Sequence, residues 1–509
     1  MKALSSLKKI SAVPALLLCI ALLFSACSFG TGEEETTAPV YEPTSVAMPA
    51  GVITVPYTSL DTLNPFLCDS LLNSSLVSLV FRSLYRLDGG FSPVKDIAVG
   101  ETVTGSTVKV EIDDSLVFSD GRALTAEDVV YSFRMAESSP VWGEGLDSVK
   151  GCTAEGNDTV VFEFEEPDVN ALSLLTFPIA ETGTADGEDG FPIGAGYYRF
   201  EKNDLKTMLT CNLRYAGDLP EIGTVRLYDV TDSSSLMHLL DTGVIDCFFN
   251  DLSDGTAKRT YSGVSEVYLN NLIFLGINNE SYRLSMADVR KAIGCALDRR
   301  ALAENAFLSH ARAARLPFNM SWSAVTDSPY ISAAGEDSDI RAADALLDGV
   351  GCGVSGDRLY LTLICRDSNS FMKNTAALIA DELSLVNIDV TVKLLSERDY
   401  DTALSEGEYD LYLSEIKLTK NMDLSPFFTS RGAASYGIAL DETNADDAYF
   451  AYKRGEKDIE EFLTAFSDSM PFVPLLYRNG QFCYSRSISG ISEVTENALF
   501  ASIAQWEVK

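Results

Sequence analysis

From residue 340 onward the sequence alternates helical and strand patterns, and that alternation limits the possible folds more than any other feature. Apolar residues recur at helical spacing over 340–347, 372–385 and 398–405, and β-rich runs occupy 359–365, 389–394 and 409–415 between and after them. Strands separated by helices must be joined by crossovers, so they pair in parallel as βαβ units in a sheet covered by helices.

The preceding residues are richer in β signals. Strands are expected over 51–57, as a pair within 103–116, over 160–165, after the turn Gly194-Ala195-Gly196, and over 244–249. Asp61-Thr62-Leu63-Asn64-Pro65 reads as a turn, followed by a helix facing inward with Leu72, Leu76, Leu79 and Val80. In Phe118-Ser119-Asp120-Gly121 the Asp-Gly pair makes a turn. Thr125 with Asp128 three positions on then forms a capping box for a helix presenting Val129, Phe133 and Ala136. A helix over 233–241 closes at Gly243, and His238 on it reads as a packing or surface residue. Residues 272–278 form an apolar strand. A long helix over 285–307 is capped by Ser285 with Asp288, and strands return over 471–477 and 481–484. The Gly-Ala-Gly turn lacks a following Lys-Ser/Thr, so it reads as a tight loop rather than a phosphate cradle. With 509 residues, 46% of them hydrophobic, the sequence supports α/β units with mixed sheets, two to four in number, and it shows no internal repeat.

The amino terminus carries Lys2, Lys8 and Lys9 and then an apolar run over 12–26 interrupted by Pro14, a secretory-signal pattern too short to span a bilayer. Leu23-Phe24-Ser25-Ala26-Cys27 resembles the lipobox of bacterial lipoproteins, with Phe24 where Leu is usual; that resemblance implies a signal over 1–26 and a lipid on Cys27. A diacylglyceryl group supplies the two chains that stable anchoring needs. Residues 27–49, rich in Thr, Glu and Pro, lack the apolar side chains for a core and read as a flexible tether. The net charge of −35, more negative still without the three lysines, repels nucleic acid and anionic lipid. Two histidines leave little basis for a His-ligated metal or a His-based triad, and no metal or cofactor is expected. H-E-x-x-H, G-x-S-x-G and P-loop motifs are missing from the sequence, so nothing in it supplies a hydrolase. Beyond Cys19 and Cys27, eight scattered cysteines without a C-x-x-C pair read mostly as free thiols.

Four pieces in order resemble the bacterial extracellular solute-binding proteins of family 5, the dipeptide-, oligopeptide- and nickel-binding components of ABC importers. They are LDTLNP at 60–65; FSDGRALTAEDVVYSF at 118–133; LGINN at 275–279 with DVRKAIGCALDRRAL at 288–302; and GEYDLYL at 407–413 with MPFVPLLY at 470–477. The resemblance implies a two-lobed periplasmic-binding-protein-like fold that closes on its ligand. Lobe I would span 50–271 with an extra subdomain over about 66–195, lobe II 272–471, and 472–509 would return to lobe I. It also implies a monomeric, non-enzymatic receptor on the outer face of the cell membrane that passes an oligopeptide or similar polar solute to an ABC permease. The alternatives are a non-peptide or anionic solute, or a sensory receptor uncoupled from transport. The second piece itself is read as a turn and cap, its acids placed where a helix dipole favours them.

In peptide-binding members of that family an aspartate in lobe II pairs with the peptide's α-ammonium. Within 414–428 the matching position holds Lys420, which would repel an amine and attract a carboxylate or phosphate. A shift of three residues would put Asp423 in that role, and a solvated loop is the third reading for Lys417 and Lys420. Glu415, Lys417, Lys420 and Asp423 on this segment are therefore candidate ligand contacts. Phe66, Trp322 and Tyr477, with Tyr57 and Trp142, are candidates for an apolar cleft lining. Nickel complexes fit poorly with so few histidines.

Overall fold

The computed structural model describes residues 47–187, 191–203, 206–329, 337–439 and 444–509. The signal, Cys27 and nearly all of the tether lie outside the described residues. The central feature is a mixed seven-stranded sheet. Its order is Cys247–Asn250, Phe472–Tyr484, Gly263–Ile277, Leu411–Lys417, Leu359–Arg366 and Ile388–Leu395, with Ala311–Ala313 pairing Phe472–Tyr484 off that path. Leu359–Arg366 runs parallel to both Ile388–Leu395 and Leu411–Lys417. The helices Ser370–Ser384 and Glu397–Glu406 make the crossovers, as the alternation requires.

The strands expected over 272–278, 471–477 and 481–484 are parts of two longer ones. Gly263–Ile277 and Phe472–Tyr484 run antiparallel along each other, with a break in register between Tyr268 and Leu272. Val267, Leu269 and Phe482 join a core built from both ends of the described chain, which includes Ile53, Val110, Phe162, Phe500 and Trp506. Beyond the break, Ile273, Leu275 and Ile277 face a second core while Leu272 and Phe274 face a third. A sheet buried on both faces needs apolar residues at successive positions, which accounts for the run LIFLGI. Phe274 sits among Phe427, Phe472 and Tyr412, with ring centroids 4.9, 5.7 and 5.7 Å away.

The single helix expected over 285–307 is broken. Ala287–Ala296 is helical, Leu297 is extended, and Asp298 starts a new turn by accepting from the amide of Ala301 at 2.9 Å. Tertiary bonds override the helical periodicity: the buried Arg299 guanidinium donates to the carbonyls of Gly294, Ala314 and Pro474, each at 2.9 Å. Ser285 is not the cap; Met286 holds that position without a side-chain bond.

Gly51–Tyr57 pairs in parallel with Ile222–Asp229, which continues through Lys206–Cys211 to Tyr198–Asn203. A separate antiparallel sheet orders Ala98–Thr104, Thr107–Ile112, Thr159–Phe164 and Val149–Ala154. The strand pair expected within 103–116 thus begins earlier, because Gly105 at φ +60° makes a two-residue turn with Ser106. The helix Ala126–Glu137 packs on this sheet and carries the capping box of Thr125 and Asp128. The helix expected after Pro65 is two single turns, Leu71–Ser74 and Val77–Val80. Gly194 and Gly196 lie against the Val80 carbonyl, the Gly196 amide donating to it at 2.8 Å. A Cβ on Gly194 would stand 2.0 Å from that oxygen, so the turn serves close backbone approach. All eight cysteines of the described residues are free, seven of them buried.

Candidate functional site

A cavity of about 490 Å³ opens beside the break between the two long strands. Its walls come from the turns around Leu71–Val80 with Arg82 and Arg86, the segments around Trp142 and Thr176, the rings of Tyr197 and Tyr215, Asn270 with residues 417–420, and the carboxy-terminal stretch 496–501. The lining mixes aromatic faces, hydroxyls and a few charges, the composition of a site that grips a small solute.

Local bonding explains why Lys420 reaches this space. Where Leu411–Lys417 ends, the Leu418 amide donates to the Asn270 carbonyl at 2.9 Å. The Asn270 side-chain amide donates to the carbonyls of Leu418 and Thr419, both at 3.1 Å. The clamped chain then directs the Lys420 ammonium onto the Thr176 hydroxyl at 2.8 Å and over the Trp142 ring, 4.1 Å from its centroid. The Trp142 indole is itself fixed by donating to the Pro65 carbonyl at 3.0 Å, so the LDTLNP turn holds one wall in place. Burial, with the like charge of Lys417 second, pushes the Lys420 ammonium down to about 7.

The neighbouring charges are mostly paired. Lys417 is bonded to Glu496. Arg82 pairs with Asp96 at 2.8 Å and lies 5.6 Å over the ring of Tyr215, which in turn packs tilted against Tyr197, with ring centroids 4.1 Å apart. Among the described residues no group of three or more His, Cys, Asp or Glu side chains is arranged to hold a metal ion. The arrangement is built for holding charge and apolar surface together.

Of the residues singled out by sequence, Lys417, Lys420 and Trp142 line this cavity. Glu415 lies behind it, accepting from Arg478 at 2.7 Å and from Asn271 at 2.7 Å. Asp423 points away into its own network with Lys453 at 3.1 Å, the Tyr449 hydroxyl at 2.6 Å and the Ser425 hydroxyl at 2.6 Å. Lys453 supplies the cation that the shifted alignment would have assigned to a peptide amine. Phe66, Trp322 and Tyr477 are core residues rather than lining: Phe66 is fully buried, Trp322 packs 5.0 Å from Phe318, and the Tyr477 hydroxyl donates to the Pro317 carbonyl at 2.9 Å. Large rings satisfy the packing of a core before they serve a cleft. Tyr57 is half-buried at the end of the first strand, off the cavity.

Arg82, Asn270, Glu496 and the pair Tyr197 and Tyr215 line the cavity without having been singled out. Tyr197 stands just before the strand Tyr198–Asn203, and the Gly194-Ala195-Gly196 turn that the sequence marks directly ahead of it is the signal that could have pointed to it. Glu496 carries no local signal, because only the return of the last residues to the first core brings it near Lys417.

Among the described residues no helix is long and apolar enough to cross a membrane. The oligopeptide-binding protein AppA of Bacillus subtilis is 20% identical over 543 aligned residues, covering 96% of this chain and 97% of that protein. The structure of NikA from Brucella suis in complex with Fe(III)-EDTA superposes with a TM-score of 0.69 at 17% identity, over 90% of this chain and 100% of the other. The periplasmic murein tripeptide binding protein MppA in its unliganded open form gives a TM-score of 0.74 at 17% identity, over 91% and 99%. These are two-lobed periplasmic binding proteins, and the fold here is of that kind. Residues 93–435 match the family described as bacterial extracellular solute-binding proteins, family 5 Middle. With two thirds of its length in that match and a fold of the same kind, this chain belongs to family 5 of the bacterial extracellular solute-binding proteins, and its role is to bind a solute.

Proposed function

We propose that the solute is an oligopeptide or another small polar molecule of similar size, held in the cavity beside the two long strands and passed without turnover to an ABC permease. The observation carrying this reading is the cavity of about 490 Å³ with both aromatic and charged walls. The relatives named for oligopeptide and murein tripeptide binding support the peptide class. Lys417, Lys420 and Trp142 are the contacts we assign to the ligand.

The lobes divide as 50–271 with 472–509, carrying the extra subdomain over about 66–195, and 272–471. Strands Gly263–Ile277 and Phe472–Tyr484 connect them, and their break in register is where bending is cheapest, since fewest ladder bonds must distort. Residues 1–26 act as an export signal, and Cys27 carries the lipid that holds a monomeric receptor at the outer face of the membrane through the tether 27–49.

The test is calorimetric titration and thermal unfolding of the purified protein with tripeptide to nonapeptide mixtures. A ligand bound only by the native state raises the melting temperature by mass action. Saturable stabilisation is expected, and Ser78→Trp, which fills the cavity, abolishes it. Binding that survives Ser78→Trp places the ligand elsewhere and removes the proposal.

A further inference from the structure

We propose that the segment 166–176 is a clasp that holds the lobes shut over the cavity, and that the bond between Asp168 and Asn421 must break before a solute enters or leaves. The clasp works in the same way whichever solute the cavity takes.

The two sides of the clasp are rooted in different cores. Ala171, Leu174 and Leu175 anchor one side in the core built from both ends of the described chain. Leu418, Met422 and Leu424 anchor the other in the third core. Between these anchors the contacts are polar, and they join residues as far as 253 positions apart in the chain. The Asn421 side-chain amide donates to Asp168 Oδ2 at 2.7 Å. The Asn170 side-chain amide donates to the Asn421 carbonyl at 3.3 Å and to the Tyr452 hydroxyl at 3.2 Å. The Val169 amide donates to the Lys453 carbonyl at 3.0 Å.

The chemistry of the pair makes it specific and releasable. Asp168 is 7% exposed, and its carboxylate accepts from the Asn170 backbone amide at 2.8 Å as well as from Asn421. The Lys453 ammonium stands 3.9 Å from Asp168 and 3.1 Å from Asp423, so one cation serves two carboxylates. A carboxylate taken out of water beside a shared counter-ion adds little net free energy, because desolvation offsets most of what its bonds return. Bond geometry therefore sets the register of closure without making closure permanent.

The clasp meets the cavity directly. Thr176 and Lys420 lie on the same two segments as Asp168 and Asn421, line the cavity, and are bonded to each other at 2.8 Å. Leu87 and Phe91 line it too and belong to the third core. They are tied to the clasp through the Tyr85 amide, which donates to the Leu175 carbonyl at 3.1 Å. Parting Asp168 from Asn421 therefore parts two walls of the cavity, whereas Asp168 and Asn421 themselves stand outside its lining.

The experiment reads closure on the full-length protein without added solute, by native-state hydrogen exchange and small-angle X-ray scattering. Asn421→Asp sets a second carboxylate against Asp168. The Val169 amide is then expected to exchange at least about tenfold faster, the loss of one hydrogen bond to a charged group. The radius of gyration is expected to rise while the amides of Gly263–Ile277 keep their protection. Adding Asp168→Asn to that variant again sets one amide against one carboxylate, and both readouts should return to those of the unaltered protein. A pair that only stabilised the fold would shift the urea midpoint and leave the radius of gyration where it was. An unchanged radius in Asn421→Asp, or a double variant that does not recover, overturns the proposal. In the unaltered protein the Val169 amide should exchange through a local opening, at a rate that low urea barely changes. Exchange of that amide only through global unfolding overturns the proposal even if neither variant folds.

Discussion

Asp128 is the residue whose loss should be felt most around the helix Ala126–Glu137 and the sheet it packs on, and its bonding partners set the size of the effect. Its fully buried carboxylate receives the Arg122 guanidinium, the amide and hydroxyl of Thr182 at 3.0 and 2.7 Å, and the amide and hydroxyl of Thr125 at 3.0 and 2.9 Å. Asp128→Asn keeps the shape but turns one oxygen into an NH2 group facing donors. Each hydrogen bond to a charged group contributes about 1.5–3 kcal/mol, and removing one partner of a buried ion pair costs about 3–5 kcal/mol. Arg122 keeps Glu181 at 2.7 Å as a second partner, which softens the loss. We therefore expect a destabilisation of about 3–4 kcal/mol at pH 7, measured by urea unfolding followed by circular dichroism. Thr125→Ala alone should cost about 1 kcal/mol, and less in the Asp128→Asn background, because the two share one set of bonds. The partners hold the Asp128 carboxyl below its ordinary range, so its contribution is complete above the ordinary carboxylate range and fades as pH falls through the lowered value. The difference between Asp128→Asn and the unaltered protein should shrink accordingly in acid. A loss under about 1 kcal/mol at pH 7 would refute the structural role assigned to this motif. Ligand affinity should not change, since Asp128 lies off the cavity.

Three further outcomes follow from the same physics. Lys420, pushed down to about 7, binds a proton in the unfolded chain that the folded chain has released between about pH 7 and 10, so ligand-free stability should rise across that window. Lys420→Met should flatten this rise in melting temperature measured against pH. Glu382 is pushed the other way, up to about 7 chiefly by burial; the folded chain keeps a proton that the unfolded chain loses, so stability falls as pH rises from about 4 to 7. Glu382→Gln keeps the acceptor for the Asp298 amide at 2.9 Å and should raise the melting temperature at pH 8 but not at pH 4. Gly194→Ala would set a methyl 2.0 Å from the Val80 oxygen, and the backbone shift required should cost about 1–3 kcal/mol or more in urea unfolding.

The sequence by itself determined the features that rest on neighbours in the chain. Parallel pairing of 359–366 with 388–395 follows from a helix too long for a hairpin, and the cap of Ala126–Glu137 follows from Thr125 and Asp128 lying within one turn. The family followed from several such local devices in a fixed order. Two elements were misjudged where distant groups intervened. The helix over 285–307 breaks because Arg299 finds carbonyls from Gly294 to Pro474, and residues 263–268 extend a strand only because 479–484 lie beside them.

The candidate site shows the same division more sharply. Sequence placed a cation at 420, yet its meaning depends on what surrounds it. Tertiary structure alone gave Asp423 to Lys453, sent Phe66, Trp322 and Tyr477 into cores, and carried Glu496 back to neutralise Lys417. Secondary structure is set by periodic contacts a few residues apart, which the order of residues records directly. A binding site is set by which charges remain unpaired and which rings remain uncovered after the whole chain has packed, and here that balance is struck between residues more than two hundred positions apart.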